Sequence, residues 1–162
     1  MVFTQRYASP LGGILLAADG QGLTGLWFDG AKYFAANLPE EREEKNTPIL
    51  AEAARWLDMY FAGGQPDFIP PLHLVGSDFR RRVWKRLLEI PYGQTAAYGE
   101  LLGGGMSAQA VGGAVGHNPI SIIVPCHRVI GANGSLTGYA GGIEKKRRLL
   151  ALEGVDTTRI SD

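Results

Sequence analysis

Gln65-Pro66-Asp67-Phe68-Ile69-Pro70-Pro71-Leu72-His73-Leu74-Val75-Gly76 divides this chain. Three prolines and a closing glycine in one short run resist regular structure, so the stretch reads as a linker between a first lobe, 1–76, and a second, 77–162. Upstream, Phe3 and Tyr7, then Ser9-Pro10-Leu11-Gly12-Gly13, Ile14-Leu15-Leu16-Ala17-Ala18, Asp19-Gly20 and Leu23-Thr24-Gly25-Leu26-Trp27-Phe28 alternate apolar runs with turn residues. These predict short antiparallel strands joined by glycine turns. A charged stretch, Glu40 to Lys45, follows, and apolar residues at helical spacing from Ile49 to Phe61 predict one helix ending at Gly63-Gly64. Nothing in this lobe carries chemistry, and it reads as a packing scaffold.

Bulk properties narrow the classes. A chain of 162 residues that is 45% apolar suits one domain or two small lobes with a real core. No apolar run approaches the ~18 residues of a membrane span, and Met1 to Arg6 lacks the basic start and apolar stretch of a secretion signal. A cytoplasmic monomer with no membrane partner is expected. The single cysteine, Cys126, excludes an internal disulfide and most structural zinc sites, so neither a metal nor a cofactor is expected. Net charge is zero but unevenly spread: residues 1–76 hold five Lys or Arg against nine Asp or Glu, and residues 77–162 hold eleven against seven. If DNA binds, it binds the second half.

That second half reads as mostly helical. Ser77 can cap a helix whose Phe79, Val83, Trp84, Leu87 and Leu88 cluster away from Arg80, Arg81, Lys85 and Arg86, ending near Ile90 because Pro91-Tyr92-Gly93 follows. A short helix from Thr95 to Leu102, a turn at Gly103-Gly104-Gly105 and a Ser107-capped helix to about Gly116 predict a helix-turn-helix. The fold class expected is therefore α/β of the α+β kind. The second of these helices, Ala108-Gln109-Ala110-Val111-Gly112-Gly113-Ala114-Val115, is unusual, because each glycine costs ~1 kcal/mol relative to alanine. Such a smooth face suits close approach by another backbone, either a neighbouring helix or a nucleic acid. Ile120 to Val124 predicts a short buried strand after the Asn118-Pro119 turn, delivering Pro125-Cys126-His127. Val129-Ile130 and Leu136-Thr137 predict a hairpin around Gly131-Ala132-Asn133-Gly134, and a last helix runs from Ile143 to about Glu153.

A lone buried cysteine is often only a small hydrophobe, but Cys126 stands beside His127 and Arg128, which place a base and a positive charge within reach of the thiol. Glu153 falls three residues after Leu150 and four after Leu149, on the side that faces the interior. A carboxylate there needs a partner. His127 fits, because a Glu that orients an imidazole which deprotonates a thiol, directly or through water, is the logic of an activated nucleophile. Lys145, Lys146, Arg147 and Arg148 read as a solvated helix face.

The run Pro125-Cys126-His127-Arg128-Val129, with Ala110-Val111-Gly112-Gly113-Ala114 and Asn118-Pro119 before it and Gly138-Tyr139-Ala140-Gly141-Gly142 and Leu149-Leu150-Ala151-Leu152-Glu153 after it, resembles the O6-alkylguanine-DNA alkyltransferase family. The resemblance covers most of residues 77–155, and the Ser9-Pro10-Leu11-Gly12 opening resembles the family's N-terminal domain less specifically. It implies a DNA repair protein that flips an O6-alkylguanine out of double-stranded DNA and moves the alkyl group, once and irreversibly, onto Cys126 without a cofactor. By the same resemblance, His127 and Glu153 would activate Cys126 through water and Asn118 would hold the turn that frames the site. Tyr98 would guide the phosphate backbone and protonate the leaving guanine. Tyr139, Ala140, Val129 and the main chain of Cys126 would line the base pocket. The helix bearing Gln109, Ala110, Gly112 and Gly113 would enter the minor groove, with Arg128 also near DNA.

Two departures stand out. Gln109 replaces an Arg that in the family fills the gap left by the flipped base; it is shorter and uncharged, which predicts weaker flipping and duplex binding. Ser121 lies where some relatives carry a stiffer Pro, which predicts tolerance of larger O6 groups or of O4-alkylthymine. Two other classes compete. A cysteine hydrolase would turn over repeatedly, although Cys126 and His127 as neighbours in an extended segment would point to opposite sides. A non-catalytic sensor of alkylated bases, like the alkyltransferase-like proteins, would lack the cysteine that is present here.

Overall fold

Phe3 stands opposite Ala18 and Ser9 opposite Gly12 where the first strand, β1 (Val2–Ser9), pairs antiparallel with β2 (Gly12–Ala18) in the computed structural model, which describes residues 1–102 and 107–159. The turn between them closes on itself, Ser9 Oγ donating to the Gly12 carbonyl at 2.6 Å and accepting from the Leu11 amide at 3.1 Å. β3 (Leu23–Phe28) extends the antiparallel meander. The charged stretch supplies a strand of its own, β4 (Arg42–Glu44), which lies parallel to β1 at the sheet edge, in the order β3-β2-β1-β4. The sheet is thus mixed, not purely antiparallel as expected. All three β4 residues are exposed, and charges on an edge strand discourage further pairing.

Helix α1 (Pro48–Phe61) begins where Thr47 accepts from the Leu50 amide and Pro48 occupies the first turn. Its buried Leu50, Ala53, Trp56, Leu57 and Tyr60 recur at three- and four-residue spacing and face β1, β2 and β3. The proline-rich linker is not loose throughout. The Leu23 amide donates to the Pro71 carbonyl at 2.7 Å and the His73 amide returns to the Leu23 carbonyl at 2.8 Å, so its middle runs along β3. Gly22 permits this approach: a Cβ there would stand 2.8 Å from the Leu72 carbonyl carbon and the Pro71 oxygen.

The chain forms two compact units, one of Met1–Val75 with Pro119–Ser121, the other of Gly76–Asn118 with Ile122–Asp162. Three residues from the second half of the sequence therefore belong to the first unit. There Leu26 donates to the Pro119 carbonyl at 2.9 Å and accepts from the Ser121 amide at 3.0 Å.

In the second unit, Ser77 caps α2 (Asp78–Leu87), which buries Val83, Trp84 and Leu87. Ser107 caps α3 (Ala108–Gly116), which buries Val111, Ala114 and Val115. The indole of Trp84 donates to the Ala114 carbonyl at 2.8 Å, locking the two helices together. The last helix, α4 (Ile143–Leu152), ends at Glu153, and Gly154 follows at φ +86°, the left-handed conformation that closes a helix.

Four expectations are corrected here. Thr95 to Leu102 is not a helix: Ala96–Ala97 (β5) is extended and pairs parallel with Val129–Ile130 (β6), and Tyr98–Glu100 forms one tight turn. The Glu100 carboxylate accepts from the Ala97 amide at 3.3 Å and so favours that turn. The glycine turn expected at Gly103-Gly104-Gly105 lies outside the described residues. Ile120 to Val124 is not a strand either. Only Ile120 makes a bridge, with Leu26, and the rest folds into a buried turn with Ile122 at φ +70°. The side-chain amide of Asn118 donates to the Val124 carbonyl at 2.8 Å and satisfies that turn from within. Cys126–Arg128 is a turn of 3-10 helix instead of an extended segment. Finally, β6 pairs with β5 and not with Leu136-Thr137; the Gly131 amide donates to the Ser135 carbonyl at 2.8 Å, making a tight turn in place of the hairpin.

Candidate active site around Cys126

The site lies wholly within the second unit. The Asn118-held turn ends at Pro125, and the Cys126 amide donates back to the Val124 carbonyl at 2.8 Å. This starts the 3-10 turn that carries Cys126, His127 and Arg128, all buried. Burial pushes the Cys126 thiol up, while a hydrogen bond from the Asn118 side chain and the charge of Lys146 oppose that rise. The free protein therefore holds a protonated thiol surrounded by groups that favour its thiolate.

His127 is fully buried, and its Nε2 stands 2.6 Å from Glu153 Oε2. Burial depresses the imidazole despite the neighbouring carboxylate, so it rests neutral. Burial alone would raise Glu153, but the hydrogen bond from His127 and the hydrogen bond and charge of Arg128 oppose it, and the carboxyl is brought down to about 2. An ionised carboxylate accepts, so Nε2 carries the proton and Nδ1 is left with its lone pair. Nδ1 is buried and makes no hydrogen bond to any described residue. The second carboxylate oxygen, Oε1, accepts from Arg128 Nε at 2.8 Å and the Gly93 amide at 3.1 Å. His127 and Glu153, paired from sequence, are brought together.

Arg128 corrects the expectation of a DNA contact. Its side chain is turned inward, donating to Glu153 and, at 2.7 Å, to the Ile90 carbonyl, with its guanidinium 5.7 Å from the Tyr92 ring. A group so committed anchors the carboxylate.

Lys146 corrects a second expectation, that it belongs to a solvated face. It is fully buried, donating to the Leu136 carbonyl and lying 3.4 Å from Thr137 Oγ1 and 3.5 Å from the Gly138 carbonyl. Burial lowers its ammonium to about 8, a fall that a thiolate at Cys126 opposes. The signal was present: Lys146 precedes Leu149 by three residues and Leu150 by four, the same spacing that placed Glu153 inside. Thr137, at φ +55°, was also missed. Tyr98 is half-buried with its hydroxyl 3.0 Å from Thr137 Oγ1, while Val129 is buried and Tyr139 and Ala140 half-buried in the segment that Lys146 holds. On α3, Gln109, Ala110 and Gly113 are exposed and Gly112 half-buried. A Cβ added at Gly113 would meet nothing, and one at Gly112 would touch the Tyr98 ring at 3.8 Å, an ordinary contact. Packing within the protein thus does not demand either glycine. No group of His, Cys, Asp and Glu among the described residues could hold a metal ion.

Comparison with known proteins gives this geometry a context. Residues 2–74 match the family described as "6-O-methylguanine DNA methyltransferase, ribonuclease-like domain", and residues 78–155 match its "DNA binding domain". A methylated-DNA–protein-cysteine methyltransferase of Mycobacterium tuberculosis is 48% identical over 159 residues, covering 94% of this chain and 93% of the relative. One from Methanosarcina acetivorans is 48% identical over 151 residues, covering 91% and 96%. The crystal structure of M. tuberculosis OGT in complex with DNA superposes with a TM-score of 0.82 at 44% identity, covering 98% of this chain and 95% of that one. The fold and site define a DNA alkyltransferase class. The chain belongs to the methylated-DNA–protein-cysteine methyltransferase family.

Proposed function

We propose that this protein repairs O6-alkylguanine in double-stranded DNA by transferring the alkyl group to Cys126. The observation that carries this reading is the buried Glu153–His127 pair, which leaves a neutral imidazole with a free Nδ1 lone pair on the turn that bears the chain's only cysteine. Nδ1 takes the thiol proton, directly or through water, and Glu153 stabilises the imidazolium that results. The thiolate sulfur then attacks the alkyl carbon. The bond from that carbon to O6 breaks with its electron pair passing to the guanine, which takes a proton from Tyr98. The product thioether has no easy hydrolysis, so each molecule acts once. No cofactor enters this sequence.

An alkyl group on O6 is out of reach inside a duplex, so the nucleotide is flipped into the pocket formed by Val129, Tyr139, Ala140 and the Cys126 main chain. The exposed Gln109, Ala110 and Gly113 face of α3 is the part that enters the minor groove, and the open space at Gly113 supports that use. In this reading residues 1–76 form a scaffold, residues 77–162 bind DNA and accept the alkyl group, and the helix-turn-helix is reduced to the Tyr98–Glu100 turn followed by α3. Ser121 in place of proline extends the substrates to larger O6 groups or O4-alkylthymine. We place the activity in the cytoplasm, in a monomer; no helix among the described residues is long and apolar enough to cross a membrane.

The test is intact mass after incubation with an oligonucleotide carrying O6-methylguanine, followed by peptide mapping. A single gain of ~14 Da on Cys126, with no second turnover, is the expected result of this nucleophilic transfer. Protein that binds the lesion and stays unmodified would make it a sensor, and repeated turnover would make it a hydrolase.

A further inference from the structure

Thr137 is the meeting point of two side chains that the reaction above leaves unconnected. Its Oγ1 lies 2.6 Å from the Leu136 carbonyl, 3.0 Å from the Tyr98 hydroxyl and 3.4 Å from Lys146 Nζ. A hydroxyl has one proton to give and two lone pairs to receive with. A carbonyl only accepts, so the Thr137 proton goes to Leu136, and both lone pairs are left for the Tyr98 phenol and the Lys146 ammonium. The backbone holds Thr137 there at φ +55°, a conformation that disfavours a β-branched residue and is sustained only where the surroundings enforce it. The enforcing contact is visible, since Lys146 is fully buried and also grips the Leu136 and Gly138 carbonyls on either side.

We propose that Thr137 is a positioning residue for alkyl transfer: its hydroxyl ties the Tyr98 phenol to the buried Lys146 ammonium and so fixes where the phenol oxygen stands when its proton turns from Thr137 to the departing guanine. Thr137 touches neither substrate nor thiol in this role, and it acts through Tyr98. The ring faces α3 at Gly112, where an added Cβ would stand 3.8 Å from it, and the hydroxyl makes its hydrogen bond to Thr137. Without the hydroxyl, Tyr98 loses its alignment and its link to the cation while its phenol remains. The inference rests on the alkyl-transfer reading of Cys126.

The experiment measures single-turnover methyl transfer to Cys126, by mass, and DNA affinity, by titration, in wild type, Thr137→Val, Thr137→Ala, Thr137→Ser, Tyr98→Phe and the double variant Thr137→Val with Tyr98→Phe. Val and Ala remove the hydroxyl with different shapes, so one poorly folded variant does not end the test, and thermal unfolding reports which are intact. The expected result is a transfer rate lowered about tenfold in Val and Ala, less than the ~100-fold typical of losing a general acid outright. DNA affinity stays within about twofold, as a residue off the DNA face requires. Ser restores the rate, and Val adds no further loss once Tyr98 is Phe. Wild-type transfer with an equal loss in both Tyr98 backgrounds, or no rescue by Ser, overturns the inference while leaving the repair reading intact. Wild type that takes no methyl overturns both.

Discussion

Arg6 with Asp29 in the first unit, and His127 with Glu153 and Arg128 in the second, are all ion pairs by distance, yet they have opposite consequences. The first pair is about half exposed on both sides, where water competes for each charge and the net gain is ~0–1 kcal/mol. The side chains of His127 and Glu153 are fully enclosed, so both carboxylate oxygens are answered by protein, from His127, Arg128 and the Gly93 amide, while His127 Nδ1 keeps its lone pair for the thiol proton. In the scaffold role proposed above, the first unit can keep its charges in water because it needs nothing from them. A site that must hold an imidazole neutral and a carboxylate ionised has to bury both and then support each one.

The sharpest way to break this contrast is Glu153→Ala. Removing one member of a buried, hydrogen-bonded network leaves Arg128 and His127 without their partner, a loss of about 3–5 kcal/mol in unfolding free energy, and methyl transfer to Cys126 should fall below detection. Denaturant melts with intact-mass assays check both. The acid limb sharpens the same point. Glu153 sits at about 2 in the fold against ~4.3 unfolded, so its contribution is fully present above the unfolded value and is lost as pH falls from there toward 2. Glu153→Gln, which cannot titrate, should flatten the wild-type decline in stability over that window; an unchanged slope would show that other carboxyls set it.

Gln109→Arg comes next in size. It restores a longer, charged side chain on the exposed face of α3, and duplex affinity and repair rate should rise severalfold, with steeper salt dependence. If neither rises, the uncharged Gln109 is not what limits flipping. Smallest is Arg6→Ala, expected to change stability by less than ~1 kcal/mol and to leave transfer untouched. A larger loss would mean that the first unit, too, depends on its charges.

Much of this was readable from residues alone, and the pattern of success has a cause. α1, α2 and α3 sit where local signals put them, because apolar residues at helical spacing, as from Ile49 to Phe61, or a capping Ser77 or Ser107, are short-range instructions. The Glu153–His127 pair was readable for the same reason, since one spacing rule placed Glu153 inside and buried carboxylates need partners. Lys146 obeys that rule equally and was misread because its neighbours Lys145, Arg147 and Arg148 suggested a solvated face. The failures cluster between Thr95 and Thr137. Ala96-Ala97 is extended only because Val129-Ile130 lies beside it, and Ile120 to Val124 turns only because Asn118 reaches Val124 and Leu26 takes Pro119 and Ser121.

The four helices, the break near Gly76 and the expectation of a reactive Cys126 came from residue types and their spacing, since caps, periodicity and a lone cysteine beside a histidine act over a few residues. The enclosure of Lys146, the inward turn of Arg128 and the three-way contact at Thr137 were settled by tertiary structure. Each depends on a backbone carbonyl or side chain brought in by a different part of the chain, and burial of a charge is decided by what surrounds it and not by what precedes it.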